Sequence, residues 1–561
     1  MPNALAHPAA VHATVAAPTR AISPPPSYGT VSPSSSPVAG GVGGNDSDDS
    51  SNDSENEDKD ESVEVEDESA GHPLHEPTGS LASSCINISN TILGSGMLAM
   101  PSALAGIGLG FGMMLIGLSG FAASFGLLLL TEVAAKVGRG SSFNACSKIT
   151  YPGAAVLFDL AIAVKCFGVS VSYLVICGDL LPRVVAGFFP SIPPDSILLT
   201  KTLWVFLSLA LVAPLCFLRR LDSLRYTSAF ALTAVVYLVF IVVSEFLAGQ
   251  TPGMPQRPHF SEIRWFKLDD HFFSYLPIFV FAFTCHQNIF SVYNELVDNT
   301  HKRVKRVVYT SVGTAFTVYE IVAVLGYLTF GNSVASNIIG QYPASPLITG
   351  GQLAIAFLVL LSYPLQCHPC RASVDKIMAA ARPYFATRRV FSSSSSSSSP
   401  PSSSPPSSPT GERSDWNEER GNTTSAAAAL SAKHGVIPLG RWVAITVCIM
   451  SASLLLAAVM HDLGTVLAFV GATGSTTICY ILPGLFYYKF SATECERLSQ
   501  ERLLLPDGNG GNGRDEGLPA SYSRWPVKRV GAVGLTVFGA FVMVTSLASL
   551  AMGKGGGGHG A

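Results

Sequence analysis

Apolar residues in this chain gather in blocks of about twenty, the length of helix that crosses ~30 Å of hydrocarbon. Eleven such blocks follow one another, at 80–107, 110–136, 154–186, 201–218, 224–247, 272–297, 307–330, 346–380, 442–460, 463–488 and 530–552. A soluble core would show amphipathic helices or alternating strands instead. The expected fold is therefore all-α and integral to a membrane, with about eleven transmembrane helices. Three polar stretches interrupt the series. Residues 1–78 begin Ala/Pro/Ser-rich and run into an acidic segment (DSDDSSNDSENEDKDESVEVED). Residues 381–438 carry a Ser/Pro run, and 553–561 are Gly-rich. Such stretches bury too little apolar surface to offset the entropy of ordering. The expected organisation is a disordered acidic tail at 1–78, eight spans in 79–380, a disordered loop at 381–438, three spans in 439–552 and a Gly-rich tail at 553–561.

Composition agrees with this reading. Hydrophobic residues make up 48% and charged residues 13%, against about 25% charged in a soluble domain. The net charge of −3 says little, because the charges are segregated. Lys and Arg concentrate in alternate connections: Lys136, Arg139 and Lys148 after the second span, Arg219, Arg220 and Arg225 after the fourth, and Lys302, Arg303, Lys305 and Arg306 after the sixth. The connection after the fifth, with Arg257, Arg264 and Lys267, is the exception. The positive-inside rule then places the N-terminus in the cytosol. Residues 1–78 hold no apolar stretch that would serve as a cleavable signal, so the first span does the targeting. The 11 cysteines fall mostly inside apolar spans, where Cys is a small buried residue. Cys367-His368-Pro369-Cys370 has the look of a metal or redox motif, but no second ligand pair follows at a zinc-like spacing. No metal, cofactor or nucleic-acid partner is expected; the expected partners are a small-molecule substrate and the bilayer.

Two spans carry polar residues where a lipid-facing helix would have none. The first reads Asn90-Thr91-Ile-Leu-Gly94-Ser95-Gly96-Met-Leu-Ala-Met-Pro101. Gly94-Ser95-Gly96 weakens the helix in mid-membrane, and Pro101 removes a donor farther on. Close helix packing through small residues would account for these glycines equally well. The sixth span adds Thr284-Cys-His286-Gln287-Asn288 inside an apolar stretch. That cluster is expensive in lipid and should face a cavity or another helix. Interruptions at corresponding places in two halves point to a transporter site, and spans one and six correspond in a five-plus-five arrangement. An opened helix frees N–H groups on one side and C=O groups on the other, which suits a zwitterion.

Three stretches carry a resemblance: INISNTILGSGMLAMPSALAGIG, KCFGVSVSYLVICGDLLP and CHQNIFSVYNEL. Together they resemble the amino-acid/auxin permease family, in its vacuolar amino-acid exporter branch, related to the sodium-coupled neutral amino-acid transporters. The resemblance covers roughly residues 79–380 and 440–490. It implies eleven spans, an inverted five-helix repeat with broken first and sixth helices, and a site between those two. Carried onto this sequence, it implies substrate contacts from Thr91, Gly94, Ser95 and Gly96 in the first helix. Thr284, His286, Gln287 and Asn288 in the sixth would face them. Asn90 in the first span and Ser362 in the eighth match positions that hold the coupled cation in sodium-dependent relatives.

Lys165 departs from that pattern. It sits deep in the third span, and an intramembrane lysine is a functional-site hypothesis by default. It would substitute for a metal cation, carry a coupled proton or meet an acidic side chain of the substrate. The alternative is an ion pair with Asp159, six residues away and poorly aligned on one helix face. His286, with an unperturbed pKa near 6.5, is the other titratable candidate. The expected function is secondary transport of amino acids, exporting them from a vacuole or lysosome and coupled to protons or sodium; a plasma-membrane location is the alternative. A different class is a nutrient-sensing receptor on a transporter fold, which would need the acidic tail. No G-x-S-x-G, H-E-x-x-H or P-loop pattern occurs, so neither an enzyme nor an ATP-driven pump is expected. A channel fits less well, because broken helices around a mid-membrane polar cluster favour alternating access.

Overall fold

The computed structural model describes residues 77–218, 227–249, 252–254, 256–269, 271–393, 437–504 and 525–552. The acidic tail expected at 1–78 lies outside the described residues except for 77–78, and the Gly-rich tail lies wholly outside. The Ser/Pro-rich loop also lies outside, except where it borders the flanking helices.

The first span is two helices, α1 (Leu81–Ile92) and α2 (Gly96–Ile107). It continues into α3 (Leu109–Val137), the second span, and a short α4 (Phe143–Thr150). Spans three to five are α5 (Ala155–Phe188), α6 (Lys201–Cys216) and α7 (Thr227–Ala248). The sixth span is again split, into α8 (Phe272–Ala282) and α9 (His286–Glu295). Then come α10 (His301–Phe330), a short α11 (Ile338–Gln341) and α12 (Pro346–Ser393), whose helix runs on past 380. The ninth span is α13 (Leu439–Val459). The tenth starts as α14 (Leu463–Val470), loosens into π-helical turns at Gly471–Ser475 and Thr477–Ile481, and ends as α15 (Leu482–Leu504). The eleventh is α16 (Trp525–Ala551). Among the described residues nine helices are long and apolar enough to cross a membrane, and α2 and α6 are shorter apolar helices. Together with α1, these give eleven spans. Among the described residues the only β-bridge is an isolated one, Gly79 with Leu296.

The packing repeats itself with a shift of five spans. Span one packs on span seven, and span six on span two. Span seven packs on five as two does on ten; eight packs on five as three does on ten; eight packs on four as three does on nine. Spans one with six, two with seven and three with eight pair across the centre. Five is odd, so corresponding helices cross the membrane in opposite directions. The molecule is therefore a five-plus-five inverted repeat, with α16 outside it.

Both ends of the two broken spans are tied down. The turn from α2 to α3 lies against the loop before α8: Leu109 N donates to Arg264 O (2.8 Å), Gly110 N to Trp265 O (3.0 Å) and Lys267 N to Ile107 O (2.9 Å). Gly108 in that turn has φ +94°, and an added Cβ would fall 2.8 Å from Trp265 O, so only glycine suits both the backbone and the space. At the other membrane face Gly79 N donates to Glu295 O (2.8 Å) and Val297 N to Gly79 O (3.1 Å). Arg139 adds bonds to the carbonyls of Asn294, Leu296 and Val297 at 2.8, 3.2 and 3.0 Å. The start of α1 is thereby fastened to the end of α9.

Candidate functional site

The two breaks meet at one level. α1 ends where Leu93 N donates back to Ser89 O and Gly94 N to Ile92 O, both at 2.8 Å. α8 ends at Ala282, and Thr284 N turns back to Phe281 O at 3.0 Å. The fully buried Tyr319 of α10 holds both endings: its hydroxyl lies 2.6 Å from Ile92 O and 2.9 Å from Ala282 O. One hydroxyl proton is shared between carbonyls at the two breaks, of which Ile92 O also accepts from Gly94 N. Asn288 in the first turn of α9 donates to Thr91 Oγ1 of α1 at 2.7 Å. Gly96 lets α2 approach α8 closely; a Cβ there would lie 3.0 Å from Ala282 Cα.

Between the breaks lies a narrow cleft, about 290 Å³ of empty space when its opening to solvent is included, lined by Thr91, Ile92, Gly94, Ser95, Gly96, Lys165, Val169, Tyr173, Phe281, Thr284 and Gln366. Only about 20 Å³ of it is open to the centre of a water molecule, room for about one water, so the breaks must move apart to admit an amino acid. One wall is the C=O end of α1, and the facing wall is the N-terminal turn of α2, whose first amides have no helical acceptor. Ser95 Oγ is braced 3.3 Å from Ser172 Oγ of α5. Thr284 Oγ1 donates to Val280 O (3.0 Å) and accepts from Cys479 Sγ (3.3 Å) on the π-helical tenth span. Gly474 of that span packs on α5 so closely that a Cβ would sit 2.7 Å from Lys165 Cβ. π-Turns of this kind often mark functional positions.

Lys165, 3% exposed, is the one charged residue among those lining the cleft. Its Nζ lies 3.3 Å from Gln366 Oε1 of α12. Asp159 does not reach it; that carboxylate sits 3.8 Å from Lys376. The Lys165 amine is thus enclosed, with one neutral acceptor among the described residues, at a cleft whose described lining holds no acid.

A profile of the family described as "Transmembrane amino acid transporter protein" matches residues 77–505. The chain belongs to this family. Vacuolar amino acid transporter 5 of Schizosaccharomyces pombe is 40% identical over 469 residues, 83% of this chain and 93% of that one. Vacuolar amino acid transporter 5 of Saccharomyces cerevisiae is 36% identical, over 83% of this chain and 97% of that one. Vacuolar amino acid transporter 6 of the same yeast is 38% identical, over 74% and 91%.

In this transporter the cleft gathers Thr91, Gly94, Ser95, Gly96, Thr284 and Lys165 from the residues singled out in the sequence, and leaves the others off its lining. Asn288 stands one contact behind it, on Thr91. His286 turns away: its Nε2 would lie 3.0 Å from a Cβ at Gly126 of α3. It is fully buried, with neither ring nitrogen in a hydrogen bond among the described residues. Gln287 Oε1 is likewise enclosed without a donor. Asn90 is half-buried on α1, and the Ser362 hydroxyl is spent on its own helix, at Leu358 O (2.8 Å). Cys367 and Cys370 are buried thiols; Cys370 Sγ points to Ala163 O at 3.6 Å, packing α12 on α5. Among the described residues no group of three or more His, Cys, Asp or Glu could hold a metal. Sequence reasoning missed Tyr173, Gln366 and Tyr319. Gln366 was visible as a lone amide in an apolar span, a signal of the same kind as Lys165.

Proposed function

We propose that the chain exports amino acids from the lumen of a vacuole to the cytosol by alternating access, driven by protons. The observation that carries this reading is the cleft between two helix breaks, with opposite half-helix ends and one lysine around it. The substrate carboxylate faces the amides of Ser95 and Gly96 and the Lys165 ammonium. The substrate ammonium faces the carbonyl end of α1. Thr91, Thr284 and Gln366 set the polar rim, while Val169 and Phe281 supply its apolar side. Thr91 and Asn288 join the two broken spans, so a ligand that pulls on one moves the other.

Protons fit better than sodium for two reasons. Lys165 is the one basic group lining the cleft, and whenever it is protonated a metal cation beside it would be repelled. Asn90 and Ser362, where a sodium ion would be sought by resemblance, stand outside the lining. The relatives' vacuolar naming supports a compartment that supplies protons. The N-terminus is assigned to the cytosol on the distribution of Lys and Arg.

The test is uptake of a radiolabelled amino-acid panel into vesicles holding the purified chain, with proton or sodium gradients imposed in turn. Saturable flux that rises with the proton gradient and ignores sodium is expected. Flux that follows sodium instead would overturn the coupling, and no amino-acid flux in correctly inserted protein would overturn the function.

A further inference from the structure

A carboxyl group outside the cleft stands at the same depth. Glu320 follows Tyr319 on α10, and Tyr319 reaches the carbonyls at both breaks. That contact puts Glu320 midway through the membrane rather than at an interface. α10 lies in a segment long and apolar enough to span a bilayer, His301–Ser333. Glu320 is half-buried, and its Oε2 is enclosed with no hydrogen-bond donor among the described residues.

The elements packed most extensively on α10 are α1, α2, α3 and α7, and α8, whose one titratable residue is Tyr275, meets it through Tyr319. The titratable groups of the first four are Cys85 on α1, Glu132 and Lys136 near the far end of α3, and Tyr237 and Glu245 on α7. Glu132 is bound to Lys528 at 2.6 Å, and Tyr237 donates to Leu347 O at 2.9 Å. Glu320 Oε2 bonds to none of them. An ionised carboxylate with no partner is strongly disfavoured in such a place, so the group holds its proton in this conformation.

We propose that Glu320 carries the coupled proton, a role that rests on the proton-driven reading above. In the closed state it is a carboxylic acid. When α10 shifts to bring it to water, it ionises and the proton leaves to the solvent on the cytosolic side. The same shift lifts Tyr319 from Ile92 and Ala282, freeing the two breaks to separate. Proton release and opening of the cleft are then one movement of one helix, and Glu320 acts without touching the substrate.

The test uses the full chain in proteoliposomes with radiolabelled neutral amino acids and a pH-sensitive dye. In Glu320→Gln, exchange of internal for external amino acid should continue within about twofold. Accumulation driven by a proton gradient should fall at least tenfold, and amino-acid-dependent proton movement should vanish. Gradient-driven accumulation at the wild-type level in Glu320→Gln overturns the proposal. Wild-type flux that ignores the proton gradient would instead overturn the proton-driven reading itself. A second measurement needs no variant: dicyclohexylcarbodiimide, which modifies protonated carboxyls in lipid, should label Glu320 in the wild type, more slowly as pH rises. Labelled carboxyls elsewhere with none at Glu320 would count against it.

Discussion

Gly96→Ala adds one methyl at the closest approach of the two broken spans. The new Cβ would lie 3.0 Å from Ala282 Cα and 3.2 Å from Ala282 Cβ. The nearer atom is backbone and cannot swing aside, so α2 and α8 must separate by a few tenths of an ångström. Overpacking of this kind costs about 1–3 kcal/mol, a shift of about 5- to 150-fold in any equilibrium that requires the closed packing. Gly94, two residues earlier, is the internal control. A Cβ there meets only Tyr173 Oη, at 3.7 Å, and its φ is not in the left-handed region. Gly94→Ala should therefore change stability by less than about 1 kcal/mol. Gly94→Leu, in contrast, fills the cleft and should abolish transport in a protein that still reaches its membrane. The assay is the unfolding temperature of each purified variant, with uptake measured alongside. Gly96→Ala should unfold below the wild type and Gly94→Ala should not. If Gly96→Ala is as stable as the wild type and transports normally, close approach at the breaks is not what the first span depends on.

Tyr319→Phe removes the hydroxyl shared by two buried carbonyls and should cost about 1–3 kcal/mol, read as a lower unfolding temperature; an unchanged temperature would mean that water replaces the hydroxyl. Asn288→Leu breaks the 2.7 Å bond to Thr91 and should weaken substrate affinity about tenfold, at about 1–1.5 kcal/mol for one bond, in a competition assay. Deleting residues 1–70, which are polar and acidic, should leave flux in vesicles intact, whereas complete loss would favour a sensing or gating role for the tail.

Much of the architecture could be read from the chain because membrane helices obey a simple length rule. The breaks were legible only when the two spans were read together: the Cys285-His286-Gln287-Asn288 run has no reason to sit in lipid as plain helix, whereas Gly94-Ser95-Gly96 alone suits close helix packing equally well. The directions of side chains at a break were not. His286 begins α9 directly after the irregular residues 283–285, where the 100° step per residue of a helix no longer applies. Sequence could therefore not say that it turns to Gly126 while Thr284 turns to the cleft. Tyr319 was illegible for another reason. A tyrosine in an apolar helix reads as packing, and its partner at Ile92 is 227 residues away. The Lys165–Asp159 alternative was open until Lys376, from a different span, appeared beside Asp159.

The central claim is that an amino acid binds between the two breaks beside Lys165. Equilibrium binding of the best-transported radiolabelled amino acid, measured on purified wild type and Lys165→Met, tests it most directly. Methionine keeps the length and apolar stem of the side chain and removes the ammonium. A charge-assisted hydrogen bond contributes about 1.5–3 kcal/mol, so affinity should fall about 10- to 150-fold. Equal affinity in the two folded proteins would place the substrate carboxylate away from Lys165 and contradict the account.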